Sequence, residues 1–195
     1  MPKHIRSHME KVAQVAVLLG LKIKERGFPV QIQLLRQACL LHDIVKVCEI
    51  SNFNGSPLSS SAQDDISTWE KLRAKYRDIG HVRAASEILE DLGEHEIAQI
   101  ILKHRFDALI DENASSQPVT WEEKLLYYAD KRVRHDRLVT IKERLEDGRR
   151  RYFPDGNPPP NDVKVEKALY ALEKEICKAA GIKPSDLDES LSKKK

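Results

Sequence analysis

Apolar residues recur every three to four positions along most of this chain, which is the spacing of one face of an α-helix. Most of these segments end at a glycine or a proline, and no stretch shows an internal repeat or the strict alternation of a strand. The pattern therefore predicts an all-α protein. The predicted helices cover about 5–26, 29–46, 67–76, 81–92, 94–104 and 121–130, a bent continuation of the last to 148, and 161–181.

Two capping boxes indicate where helices begin, because in this motif two side chains satisfy free backbone N–H groups of the first turn. They are Ser67-x-x-Glu70 and Thr120-x-x-Glu123, which are expected to open the helices near 67 and 121. Residues 51–67 are rich in serine, with asparagine, glycine and proline, and follow neither period. We predict a mobile loop there.

The helices divide into one domain and an appendage. Prolines and a glycine between 154 and 160 interrupt the periodic pattern, so the domain is predicted to occupy residues 1–150. An additional amphipathic helix over 161–182 is predicted to pack on it. The Ser-, Asp- and Lys-rich residues 183–195 are predicted to form a disordered tail.

Charge and cysteine content indicate which partners and which cellular compartment to expect. The net charge of +2 is nearly balanced, which gives no general reason to expect a nucleic-acid or membrane partner. Three consecutive arginines over 149–151 are only a weak sign of RNA binding, because acidic residues precede them. The three cysteines form no Cys-x-x-Cys pair, so we predict reduced thiols in the cytoplasm. No apolar run approaches the roughly 20 residues of a membrane helix.

His42 and Asp43 interrupt the apolar run that extends from Ala38 to Val45. A buried imidazole and a buried carboxylate each need a strong partner, and a metal ion would satisfy both. The carboxylate has two oxygens and could bridge two ions. A hydrogen-bonded pair without metal is the alternative, and it is the more common arrangement for His-Asp pairs in protein cores.

Four more ionisable residues lie on the apolar faces of predicted helices, namely His8, His81, His104 and Asp130. For each residue alone, a hydrogen bond inside the core is an adequate explanation. Together with the doublet they would bury six ionisable groups in one small core, which is improbable unless the groups are used. We therefore treat the six as one candidate site.

The order of His8, the doublet His42-Asp43 and the later Asp130 resembles the H…HD…D pattern of the HD-domain superfamily of metal-dependent phosphohydrolases. Two local segments carry the resemblance, Leu-Leu-His-Asp-Ile-Val-Lys at the doublet and Leu-Tyr-Tyr-Ala-Asp-Lys at the last aspartate. It covers roughly residues 3–135 and implies an HD-domain helical bundle.

The two intervening histidines extend the resemblance. His81 follows a glycine and His104 a lysine, and both resemble the histidines of the two-metal subset of this superfamily. The layout is similar to that of bacterial symmetrical diadenosine tetraphosphate hydrolases. The resemblance therefore implies two divalent ions, the first bound by His8, His42, Asp43 and Asp130, and the second by Asp43, His81 and His104.

The residue types agree with this implied site. Imidazole and carboxylate ligands without thiolate suit iron, manganese or similar divalent ions. Two such ions can share a hydroxide that attacks phosphorus, so no side-chain nucleophile is needed. Asp43, as the ligand common to both ions, is the predicted catalytic carboxylate.

Basic residues near the site are candidates for substrate binding. Lys46 follows the doublet by one helical turn and could bind a substrate phosphate or protonate the leaving oxygen, with a solvated lysine as an equal alternative. Lys131, Arg132 and Arg134 could line a phosphate pocket, with a solvated helix face as the alternative. We hypothesise that the loop over 51–67 covers the site as a lid.

The expected activity is hydrolysis of a phosphoester or phosphoanhydride in a nucleotide. The substrate is then a small molecule, and a dinucleoside polyphosphate is one candidate. Two alternatives stay open: a di-iron oxygenase of the wider superfamily, which uses the same ligand types, and a non-catalytic binding module that metal stabilises. The oligomeric state is left open.

Overall fold

The computed structural model describes residues 1–50 and 63–187, and its regular structure is almost entirely helical. The predicted all-α fold class is confirmed. The helices are α1 (Lys3–Glu25), α2 (Ile32–Leu41), α3 (Gln63–Tyr76), α4 (His81–Asp91), α5 (His95–Leu102), α6 (Trp121–Arg132), α7 (Ile141–Tyr152) and α8 (Asp162–Ala180). Short 3₁₀ helices cover Lys46–Glu49, Ala108–Ile110 and Ala114–Ser116.

Helix α1 lies at the centre of the bundle and packs against α2, α6 and α8. Its apolar face repeats at helical spacing, so that successive turns present a continuous stripe to the core. Burial of each larger side chain in this stripe contributes about 1.5–3 kcal/mol. The stripe residues without any exposed surface are Val12, Val15, Ala16, Leu19 and Ile23.

Two helices end earlier than their apolar period predicts. α2 stops at Leu41, and a turn follows in which the Lys46 N–H donates to the Asp43 carbonyl at 2.9 Å. α5 stops at Leu102, two residues before His104. The doublet and His104 therefore follow the C-terminal ends of helices and do not project from helix faces.

The two capping boxes have different outcomes. α3 begins at Gln63, so Ser67 lies inside the helix and the capping box predicted there is wrong. The second box is confirmed, because Thr120 Oγ1 accepts the Glu123 N–H at 3.3 Å and Glu123 Oε2 accepts the Thr120 N–H at 2.9 Å. Most of the loop predicted over 51–67, and with it the lid hypothesis, lies outside the described residues.

α6 does not continue as a bent helix. It is followed by an antiparallel ribbon of β1 (Val133–Arg134) and β2 (Arg137–Leu138), which the apolar pattern did not predict. His135 adopts a left-handed backbone conformation, with φ of 56°, at the tip of the ribbon. α7 then begins after Thr140, in a further capping box.

α8 packs against α1 and α6, and the chain leaves it through Gly181 in a left-handed conformation with φ of 67°. Leu187 has no exposed surface and belongs to the core. The packed part of the chain therefore extends past 183, where the tail was predicted to begin. Residues 188–195 lie outside the described residues. Within the described part of the chain, no helix has the length and hydropathy needed to cross a bilayer.

Candidate metal centre

The structure brings together all six residues that the resemblance implies as metal ligands. They come from five separate segments, so their convergence depends on the tertiary packing of the bundle. The positions are His8 on α1, His42 and Asp43 after α2, His81 at the start of α4, His104 after α5, and Asp130 on α6.

Asp43 lies between two pairs of histidines. Its Oδ2 is 4.0 Å from His8 Nε2 and 3.7 Å from His42 Nε2. Its Oδ1 is 3.1 Å from His81 Nε2 and 3.9 Å from His104 Nε2. Each carboxylate oxygen faces its own pair of imidazoles, which is the arrangement that a bridging ligand requires.

Asp130 adds a second carboxylate to the first pair. Its Oδ1 is 3.0 Å from His8 Nε2 and 3.7 Å from His42 Nε2. Its other oxygen, Oδ2, accepts a hydrogen bond from Lys131 Nζ at 2.6 Å. The lysine therefore holds Asp130 with Oδ1 directed at the histidines.

His42 and His104 are oriented by backbone carbonyls in the last turns of α2 and α5. The last four carbonyls of a helix have no partner within the helix, so they can accept hydrogen bonds from groups that follow it. The Nδ1 atom of His42 donates to the Cys39 carbonyl at 2.8 Å, and that of His104 donates to the Ile101 carbonyl at 2.6 Å. These bonds assign the ring proton to Nδ1, so Nε2 keeps its lone pair for the centre.

His8 and His81 are oriented in the same way by other acceptors. The Nδ1 atom of His8 donates to the backbone carbonyl of His135 at 2.9 Å, and that of His81 donates to the Glu49 carboxylate. Metal-binding histidines are commonly fixed through their second nitrogen by a carbonyl or a carboxylate. All four rings at this centre follow that rule.

The donor set fits a divalent cation. The Nε2 atoms of His42 and His104 are buried, and neither has a hydrogen-bond partner among the described residues. Leaving such an atom unpaired costs about 1–3 kcal/mol, whereas a cation at Asp43 Oδ2 would pair with His42 and a cation at Oδ1 with His104. The 3.0–4.0 Å separations between ligand atoms match donors that share an ion at a bond length of about 2.1 Å.

The protonation states of Asp43 and His104 agree with metal binding, whereas His42 and His81 would release a proton when a cation binds. Burial alone would raise the pKa of Asp43, but in the metal-free protein the charge of protonated His42 and the hydrogen bond from protonated His81 hold this pKa well below its ordinary value. Burial lowers the pKa of His42 and of His81, but the nearby carboxylates raise both by more. Burial, with His42 and His81 nearby, holds the pKa of His104 well below its ordinary value. A carboxylate and a neutral imidazole are the forms that bind metal.

A cleft of about 810 Å³ opens over the centre, a volume that suits a ligand of nucleotide size. Lys46 lines this cleft, with Nζ 2.8 Å from Glu49 Oε2 and 3.1 Å from His81 Nδ1. Burial lowers the pKa of Lys46, but Asp43 and Glu49 raise it by more. Lys46 therefore stays cationic beside the ligands.

The three basic residues predicted after Asp130 have different positions. Lys131 and Arg134 line the cleft, where Lys131 holds Asp130 and Arg134 Nη1 lies 3.8 Å from Asp147 Oδ1. Arg132 does not line it, so its predicted role in substrate binding needs correction.

Arg132 is buried on the opposite side of α6. It donates to the Tyr128 hydroxyl at 2.5 Å, to Glu173 of α8 at 3.0 Å and to the Val139 carbonyl at 2.7 Å. The physical reason is helical geometry, since two positions along a helix rotate a side chain by about 200° from Asp130. Arg132 joins α6 to α8.

Sequence reasoning missed Glu49. This residue lies in the 3₁₀ helix after the doublet and accepts hydrogen bonds from both the backbone N–H of His81, at 3.1 Å, and its Nδ1. It also pairs with Lys46. The spacing Lys46-x-x-Glu49, just after the doublet, was the available signal, because it places a carboxylate beside the candidate lysine.

Comparison with known proteins agrees with this geometry. The family model described as HD domain matches residues 5–142. The chain therefore belongs to the HD-domain superfamily of metal-dependent phosphohydrolases, whose members bind divalent metals. All six candidate ligands lie within the matched residues, whereas most of α7 and all of α8 follow them.

The comparison with curated proteins gives one relative in which the match covers a similar share of both chains. The uncharacterised protein MJ0778 of Methanocaldococcus jannaschii is 25% identical over 148 residues, which cover 71% of this chain and 72% of the relative. No solved structure matches the chain.

Proposed function

We propose that this protein is a two-metal phosphohydrolase that cleaves a phosphoester or phosphoanhydride bond of a nucleotide. The observation that carries the proposal is the placement of Asp43, whose two oxygens face two separate pairs of oriented imidazoles. The proposed ions are iron or manganese, which accept imidazole and carboxylate ligands. The proposed substrate is a small molecule, because the cleft above the centre is of nucleotide size.

The six residues would hold two ions, with Asp43 as the ligand common to both. His8, His42 and Asp130 would hold the first ion together with Asp43, and His81 and His104 would hold the second with the same carboxylate. When bound, such a pair of ions supplies an activated water and neutralises negative charge on the phosphate.

The remaining groups orient the ligands and bind the phosphate. Lys131 keeps the Oδ1 atom of Asp130 directed inward, and Glu49 keeps the ring of His81 in place. Lys46 stays protonated and borders the cleft, so its ammonium group is suited to bind an oxygen of the scissile phosphate and to stabilise charge on the leaving oxygen.

Replacing Asp43 by Asn tests the proposal. The variant keeps the shape of the side chain but removes the negative charge that both proposed ions would share. We expect phosphohydrolysis to fall at least about 1000-fold, which corresponds to roughly 4 kcal/mol of lost transition-state stabilisation. The measurement is kcat/KM with manganese or iron, on p-nitrophenyl phosphate and a panel of nucleotides and dinucleoside polyphosphates.

The matched control is Asp136→Asn, which removes an exposed carboxylate from the ribbon tip. It should retain wild-type rates. Full activity of the Asp43 variant on every accepted compound would contradict the proposal.

A further inference from the structure

One wall of the cleft is formed by α7 and the residues that follow it. The side chains it presents include Arg144, Arg149, Arg151 and Tyr152, all of which follow the residues that the family model matches. Arg149 fixes this wall to α8, because its guanidinium donates to Asp162 Oδ2 at 2.8 and 2.5 Å and to Glu166 at 2.5 Å.

Most arginines that line the cleft are already neutralised. Arg105 pairs with Asp111, and Arg149 pairs with two carboxylates. Arg134 and Arg151 lie 3.8 and 2.8 Å from the two oxygens of Asp147. Each of these cations has at least one carboxylate partner.

Arg144 differs from these neighbours. It forms neither an ion pair nor a side-chain hydrogen bond with any residue in the described ranges, and its Nε atom is buried without a partner. Only the Nε atom of this guanidinium is buried without a partner, so the outer Nη groups stay accessible from the cleft that Arg144 lines. An anion bound in the cleft would supply these groups with the counter-charge that the described residues do not provide.

The wall and the metal centre face the same cleft. Tyr152, at the end of α7, is 63% exposed and lines this cleft together with Lys46 and Arg144. A ligand whose scissile phosphate lies beside Lys46 can therefore contact α7 without leaving the cleft.

We propose that Arg144 binds a second phosphate group of the substrate and thereby selects nucleoside polyphosphates over compounds with a single phosphate. This inference rests on the proposed function, since it assigns the first phosphate to the metal centre. The planar guanidinium of Arg144 is suited to two parallel hydrogen bonds with phosphate oxygens. Arg144 is thus a specificity residue on a part of the chain outside the family match.

The test compares Arg144→Gln with Arg150→Gln. Arg150 lies on the same helix, is exposed and does not line the cleft. Its replacement therefore removes the same charge from a position outside the proposed binding site. For each variant, kcat/KM is measured for ADP and for p-nitrophenyl phosphate with manganese in excess. In Arg144→Gln we expect kcat/KM for ADP, divided by kcat/KM for p-nitrophenyl phosphate, to fall about 10–100-fold, as for loss of a charge-assisted contact. In Arg150→Gln this ratio should stay unchanged.

Arg144→Lys keeps the charge and should retain more of the ratio than the glutamine variant. If the glutamine variant fails to fold, a lysine variant with a ratio at least threefold below wild type supports the proposal. Equal ratios in the Arg144 and Arg150 variants would overturn it.

A binding measurement separates this inference from the proposed function. Calorimetry with the methylene analogue of ADP, which cannot be cleaved between its phosphates, does not require turnover. If the wild type hydrolyses no phosphate compound, the proposed function fails. In that case, at least tenfold weaker binding by Arg144→Gln than by Arg150→Gln still supports the second phosphate site, and equal binding rejects it.

Discussion

At the scale of single residues, the candidate centre depends on how each imidazole is held. Every ring donates through Nδ1, three of them to backbone carbonyls and His81 to the carboxylate of Glu49. A carbonyl is fixed by the backbone, whereas Glu49 is a side chain that can be replaced. The orientation of His81 is therefore open to test by mutation.

Replacing Glu49 by Gln should weaken binding at the second ion site. The charge that fixes the His81 ring is lost, and changes of this kind typically reduce metal affinity about 10–100-fold. Calorimetric titration with manganese measures the effect. Binding at the first site, to which His81 would contribute no ligand, should stay as in the wild type.

Glu90→Gln is the matched control. Glu90 also contacts a histidine through Nδ1, at 2.5 Å from His95, but this pair is exposed and lies outside the cleft. The control should leave both affinities unchanged. Indistinguishable titrations for the two variants would show that Glu49 does not position His81.

At the same scale, sequence reasoning was weakest for side-chain direction. Lys131, Arg132 and Arg134 are close in sequence, yet Arg132 contacts α8 while the other two line the cleft. Helical rotation from Asp130 is by itself enough to direct Arg132 away from the site. That Arg144 has no partner among the described residues could not be predicted, because it depends on which carboxylates the tertiary fold gives to its neighbours.

At the scale of secondary structure, α6 is the element that positions Asp130, and its start is fixed by Glu123. This carboxylate accepts the N–H groups of Val119 and Thr120 at 2.7 and 2.9 Å and pairs with Lys103 at 2.8 Å. Burial would raise the pKa of Glu123, but these partners lower it below its ordinary value of 4.5.

Glu123→Gln should therefore destabilise the metal-free protein by about 1–2 kcal/mol at pH 7. Since the folded pKa is depressed, the contribution of Glu123 is fully present above pH 4.5 and is lost as the pH falls through the folded value. Urea unfolding at about pH 7 and about pH 3.5 should show a difference from wild type that narrows at the lower pH.

Glu143→Gln changes the equivalent position in the capping box of α7, where the carboxylate is exposed. It should cost less stability than the Glu123 variant. An equal cost at both positions, or a Glu123 effect that does not change with pH, would contradict this account of α6.

The helices were predictable where the apolar period and a stop signal agreed, as in α1, α4 and α8. The ends of α2 and α5 were not, because the apolar period continues through His42 and His104 after the backbone has left the helix. The imidazoles themselves donate to carbonyls in the last turns of these helices, and a hydrophobic pattern does not show that a histidine makes such a hydrogen bond.

At the scale of the whole molecule, the family match and the additional C-terminal part divide the cleft between them. Residues 5–142 carry all six candidate ligands, and α7 lines one wall of the cleft, which Arg149 anchors to α8. The order of the ligand residues could be predicted from the sequence, since each has a recognisable neighbourhood. Their division into two groups around Asp43 could not, because it depends on how five segments pack.

The central claim is that Asp43 bridges two ions, and metal stoichiometry tests it most directly. Elemental analysis after reconstitution with manganese or iron should give two ions per chain in the wild type and in the exposed-site control His95→Ala. His104→Ala removes a ligand of the second group only and should bind one ion. One ion in the wild type, unchanged in His104→Ala, would contradict the two-metal centre.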